Sequence, residues 1–156
     1  MPAQYSVERE EYEGTTIYSL RNAGISSARI VPEWGNNCFE FKTKFSVLEE
    51  VPFGEFRKKP TSYGIPILFP FPNRIQDGRF SFRNRSYEVD PPRHGFVRDK
   101  AWNVEDFGAS QEAAWIRSRI SADKDPFHFR LEVTYKLIGT TLKRRENTIL
   151  KRCSSG

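Results

Sequence analysis

From Phe127 to Leu137 every odd-numbered position is apolar: Phe127, Phe129, Leu131, Val133, Tyr135 and Leu137. The even-numbered positions are His128, Arg130, Glu132, Thr134 and Lys136. A period of two sends successive side chains to opposite sides of an extended backbone. This stretch is therefore a half-buried β-strand with one face inward and one polar face, and it is not a helix.

The rest of the chain follows the same logic. Thr15 to Leu20 is β-branched and aromatic and closes at the turn residues Asn22-Ala23-Gly24. Ile25 to Val31 and Cys38 to Thr43 are the next two strands, and Phe39-Glu40-Phe41-Lys42 alternates within the second. Arg79 to Val89 predicts a hairpin turning around Asn84. Trp102 to Phe107 and Ala114 to Ile120 predict another pair, joined through Gly108-Ala109-Ser110. Residues 50–63, with Pro52, Gly54 and Pro60, are expected as a long loop, and only Gln111 to Trp115 hints at a helical turn. There is no internal repeat or low-complexity segment. The fold class is all-β.

Hydrophobic residues make up 37% of the 156, but aromatics reach 14% with thirteen Phe, so a few large side chains can build the core. The net charge of +5 raises the question of a nucleic-acid partner. Residues 143–156 carry Lys143, Arg144, Arg145, Lys151 and Arg152 against Glu146, which leaves +1 for residues 1–142. A nearly neutral body argues against nucleic acid, and a short basic tail is ordinarily solvated. Cys38 and Cys153 have no spacing for a disulfide framework or a zinc site, and no metal is expected. The first residues lack the apolar core of a signal peptide, and no apolar run reaches the roughly 18 residues of a membrane span. The expected location is cytoplasmic, with no membrane partner.

After Leu142 the alternation fails, so the expected division is a β-domain over residues 1–142 and a basic tail over 143–156. A sheet ending there presents an unpaired edge. Either the tail guards that edge, or the chain stops short of its partner strands. The second reading is the one taken, with self-association through the exposed sheet edge as its consequence.

Two segments carry candidate chemistry. In Gly64-Ile65-Pro66-Ile67-Leu68-Phe69-Pro70-Phe71-Pro72-Asn73-Arg74-Ile75, three prolines forbid a regular central strand. The segment is expected to be a buried extended connection that delivers Asn73 and a buried Arg74. A buried guanidinium needs acceptors, which sugar hydroxyls or a protein carboxylate in a structural ion pair would both supply. In Arg93-His94-Gly95-Phe96, a histidine on a turn with glycine behind it can hold its ring in a cleft and move a proton near neutral pH. A purely structural histidine is the alternative. Arg57, Lys58, Lys59 and Arg98 could receive a phosphate, but are read as solvated surface charge.

These motifs together resemble the aldose 1-epimerase (galactose mutarotase) family. The resemblance rests on Gly64-Ile65-Pro66, Leu68-Phe69-Pro70, Pro72-Asn73-Arg74-Ile75-Gln76-Asp77-Gly78-Arg79-Phe80, His94-Gly95-Phe96 and Trp102, with Ala28-Arg29-Ile30-Val31-Pro32 and Gly35 as an opening strand pair. It covers roughly residues 15–142. It implies an antiparallel β-sandwich of the galactose mutarotase-like type, here incomplete, and interconversion of the α and β anomers of an aldose or sugar phosphate without cofactor or metal. In that chemistry one group takes the anomeric proton while another protonates the ring oxygen.

By the resemblance, Arg74 and Asn73 contact sugar hydroxyls, and His94 is the first active-site histidine, near the ring oxygen. The family's second histidine and its glutamate base belong to later motifs that this sequence does not contain. His128 sits on the polar strand face before the second histidine's place and does not substitute for it; Glu132 shares that face. The implied function is an aldose 1-epimerase-like isomerase, truncated and impaired in this chain. The alternative is a non-catalytic carbohydrate-binding module.

Overall fold

The computed structural model describes residues 3–124 and 127–150. Lys151, Arg152 and Cys153 of the expected basic tail lie outside the described residues. The architecture is two four-stranded antiparallel sheets packed face to face, with a small hairpin at one end. The first sheet runs in chain order through β1 (Tyr5–Tyr12), β2 (Thr15–Asn22), β3 (Ser26–Val31) and β4 (Asn37–Lys42). The hairpin is β5 (Arg79–Phe82) and β6 (Arg85–Glu88). The second sheet holds β7 (Asn103–Ala109), β8 (Ala114–Lys124), β9 (Phe127–Ile138) and β10 (Thr141–Leu150), again neighbouring in chain order.

The core forms where the two alternations meet. Phe129, Leu131, Val133, Tyr135 and Leu137 of β9, with Ala114 and Ile116 of β8, close on Tyr18, Leu20, Ala28, Ile30 and Cys38 of the first sheet. The odd positions of β2 and β3 face the other way. Ile17 and Val31, with Phe39, pack under Phe56 of a one-and-a-half-turn helix, α1 (Phe53–Lys58). The Phe39 and Phe56 rings stack at 4.7 Å. The central strands of this sheet are thus apolar on both faces, which explains why β2 reads as a continuous run rather than an alternation.

Polar groups fix how the sheets meet. Asn22 Nδ2 and Ser26 Oγ donate to the Gly139 carbonyl at 3.1 and 2.5 Å, and the Gly139 N–H donates to the Tyr5 hydroxyl at 2.9 Å. The β9–β10 turn is thereby tied to the first sheet. Tyr135 donates its hydroxyl to the Asn36 carbonyl at 2.9 Å, which satisfies the polar end of a fully buried ring. At Gly35 the chain comes so close to the Arg98 carbonyl that a Cβ would lie 1.9 Å from its oxygen. Only glycine permits that approach, and it locks the β3–β4 turn to the segment before β7.

Four expectations change. β1, with Glu8-Arg9-Glu10-Glu11, carries the charge of an edge strand and showed no strand signal. Residues 53–58, expected as loop, form α1 because Phe53 and Phe56 bury on one side. The helical hint at Gln111–Trp115 is instead a turn leading into β8. The strand also runs through Leu142 to Leu150, pairing Leu142 with Leu137 and Arg144 with Tyr135. The alternation fails there because β10 is a sheet edge, largely exposed, whose inward positions carry Arg144 and Glu146, paired with each other at 3.1 Å. The residues expected as tail are, as far as Leu150, the fourth strand of the second sheet.

Leu131 is fully buried at the centre of the inter-sheet core. Leu131→Ala is expected to cost about 2–5 kcal/mol through lost burial and the cavity left behind. Urea denaturation measures this; a loss under 1 kcal/mol would mean that the sheets do not pack as described.

Candidate functional site

The three-proline segment lies between the two sheets at its start and leaves them at its end. Asn37, fully buried, organises the entry: its Nδ2 donates to the Pro60 and Tyr63 carbonyls at 2.8 and 2.7 Å, and its Oδ1 accepts from Ile65 N–H at 2.8 Å. Ile67 is buried, and the Phe69 ring meets Phe129 edge-on at 4.8 Å. The Phe69-Pro70 peptide is cis, as is Asp90-Pro91. Beyond Phe71 the chain surfaces, so Pro72, Asn73 and Arg74 are exposed.

Residues 93–96 run beside this segment. Phe96 N–H donates to the Phe69 carbonyl at 2.8 Å, His94 N–H to the Asn73 carbonyl at 3.2 Å and Ile75 N–H to the Pro92 carbonyl at 2.7 Å. Gly95 sits at φ +71°, and a Cβ there would lie 2.0 Å from the Phe69 carbonyl oxygen. The glycine behind the histidine is therefore a steric requirement: it lets the two backbones touch.

This braid sets the His94 ring. His94 itself is in the left-handed region, φ +63°, and its Nδ1 lies 2.7 Å from the Pro72 carbonyl oxygen. A carbonyl only accepts, so Nδ1 is the protonated nitrogen. Nε2 of the neutral ring then carries the free lone pair, and the ring orientation is set by a backbone carbonyl. The ring is half-buried.

Asn73, Arg74 and His94 are brought together along the paired backbones, with Arg74 bridging to Arg93. The expectation of a buried Arg74 is overturned. Arg74 lies at the surface, so its guanidinium does not need a buried acceptor. Arg74 instead borders a shallow groove of about 390 Å³ with Asp77 and Asp90. His94 does not line that groove.

A cluster of rings beside the histidine turn was not singled out from sequence. Phe71 meets Phe96 at 5.3 Å, Phe96 meets Phe127 at 5.6 Å, and Phe80 meets Phe127 at 5.7 Å. Phe80 also stacks on its cross-strand partner Tyr87 at 5.4 Å. The Phe80–Tyr87 register was the available signal, since aromatic pairs on one face of a hairpin seek a third surface. The cluster holds the hairpin against β9. The hairpin turn itself falls at Arg83-Asn84, both at positive φ, next to the position expected.

Arg57, Lys58 and His128 have structural partners. His128 Nδ1 lies 3.2 Å from Asp123 Oδ1, its cross-strand partner, while Glu132 pairs with Arg130 at 3.1 Å. Arg57 pairs with Glu13, and Lys58 with Glu55 at 3.1 Å. Burial pushes the Cys38 thiol up to about 12, so it is inert beneath the core.

The sequence profile of the aldose 1-epimerase family matches residues 16–150, through the whole of β10. A galactose mutarotase-like protein from Clostridium acetobutylicum superposes with a TM-score of 0.81 at 24% identity, over 94% of this chain and 49% of that one. A protein from Synechocystis gives 0.70 at 25% identity, over 92% and 48%. Galactose 1-epimerase from Lactobacillus acidophilus gives 0.74 at 12% identity, over 96% and 49%. This chain spans about half the length of these structures.

Gly95→Ala tests the braid. The added methyl must displace Phe69 or the turn, and the expected result is a protein that still folds but shows shifted amide resonances from Phe69 to Arg74 and at His94. An unperturbed spectrum would show that the two segments do not touch.

Proposed function

The chain belongs to the aldose 1-epimerase family, and on that premise we propose that it binds an aldose, free or phosphorylated, at the surface formed by Asn73, Arg74 and His94. The observation that carries this reading is the backbone-held His94 ring, with Nε2 as its exchanging atom, set beside an exposed Arg74. Arg74 offers donors to sugar hydroxyls, and Asp77 and Asp90 across the groove offer acceptors.

The reaction this arrangement supports is anomer exchange by ring opening. His94 Nε2 exchanges a proton at the ring oxygen while a second group works on the anomeric hydroxyl. His128, the other histidine, is engaged with Asp123 at 3.2 Å and is not proposed for that second role. With one of two groups in place, the rate falls by roughly 10²–10⁴. Sugar binding without appreciable turnover is therefore the behaviour proposed for the 156-residue chain alone.

NMR titration and anomer-exchange measurements with glucose, galactose and glucose 6-phosphate test this. The expected result is saturable binding of at least one sugar, weakened about tenfold by Arg74→Ala because a charged donor is lost, with exchange near the buffer rate. Absence of binding to all three would overturn the aldose reading. Exchange well above the buffer rate that survives His94→Ala would overturn the role given to His94.

A further inference from the structure

A second cavity lies away from Arg74 and His94. β7 begins at Asn103, opposite Arg119, so β8 continues from Ile120 without a β7 partner. The loop from Asp90 to Ala101 passes over that gap and leaves a cleft of about 710 Å³. Neither Arg74 nor His94 lines it.

Charges of both signs line it. Arg119, Arg130 and Lys100 line the cleft, as do Asp90 and Asp99. The arginines are fixed by carboxylates that do not line it. Arg119 Nε is held by Glu105 at 2.9 Å, and Arg130 Nη2 by Glu132 at 3.1 Å and Glu105 at 3.5 Å. Each guanidinium thus spends one donor on its anchor and keeps others. Arg130 Nε is buried and has no hydrogen-bond partner among the described residues. Ile120, Ala122 and Phe96 supply an apolar wall, and Asn103 and Ser121 supply neutral polar groups.

We infer that this cleft, which shares Asp90 with the Arg74 groove but includes neither Arg74 nor His94, is a second binding site for a small hydroxylated organic anion of sugar-acid or sugar-phosphate type. Two anchored guanidiniums favour a carboxylate or phosphate head over a neutral group, because their geometry is already paid in the folded protein. The aspartates, Asn103 and Ser121 suit hydroxyls, and the volume fits a monosaccharide with its anionic group. The inference does not rest on the aldose reading of the first surface.

Amide-resolved NMR titration of the full chain with gluconate, glucose 6-phosphate, inorganic phosphate and neutral glucose tests it. Gluconate or glucose 6-phosphate is expected to shift residues 96–103 and 119–122 saturably, and whichever does so names the head group. Glucose should leave those residues unmoved, and inorganic phosphate should bind at least tenfold more weakly. Arg119→Gln is expected to weaken binding about tenfold or more, and His94→Ala to leave it unchanged. Ala101→Trp, at an exposed position, fills the cleft without touching an ion pair and should abolish it. No saturable shift with either anion in the folded protein would overturn the inference. So would equal shifts from glucose, phosphate binding as tight as the sugar anions, binding that survives Ala101→Trp, or loss of binding in His94→Ala.

Discussion

On one face of β9, five side chains from Phe129 to Leu137 are buried against Tyr18, Leu20, Ala28, Ile30 and Cys38, in the larger of the two apolar clusters among the described residues. Everything else is arranged around that contact. The Gly139 turn is bonded to Tyr5, Asn22 and Ser26, and Tyr135 reaches the Asn36 carbonyl, so the sheets have one register and not several. Phe69 and Phe127 extend the same face toward the loops. The three-proline segment and the hairpin dock there through rings instead of a hydrogen-bonded ladder.

Much of the fold was legible because the residues that make it also advertise it. The period of two in β9 and the punctuation of β3, β4 and β7 located those strands to within a residue or two, and β8 from its start, though it runs four residues past the expected end at Ile120. What was not legible has physical causes. β1 is an edge whose charges are satisfied across the sheet, with Glu8 on Arg21 and Glu10 on Arg29, so its side chains carry no burial pattern. α1 is too short to show a helical period, and it exists because Phe56 covers Ile17 and Val31. β10 continues past Leu142 through backbone pairing and a charged inward pair, Arg144 and Glu146, which leaves no trace in hydropathy.

The site shows the same division. His94 on a turn before glycine was visible in the sequence, and so was the proline-interrupted extended connection that leads to Asn73 and Arg74. Invisible was the reason the ring stands where it does, since a Pro72 carbonyl and a missing Cβ at Gly95 leave no mark on residue types twenty positions away. Arg74 was expected to be buried because its neighbours are apolar. It surfaces because Phe71 and Ile75, on either side, take the inward directions and leave the bend between them to solvent.

The central claim is that the fold itself fixes the His94 ring, with Nδ1 bonded to Pro72 and Nε2 as the exchanging atom. Long-range nitrogen–proton correlation NMR of the neutral imidazole reads this directly, with His94→Ala identifying the signal. The account predicts a proton on Nδ1 and a bare Nε2. A His94 ring protonated on Nε2, or one averaging freely between the two forms, would contradict it.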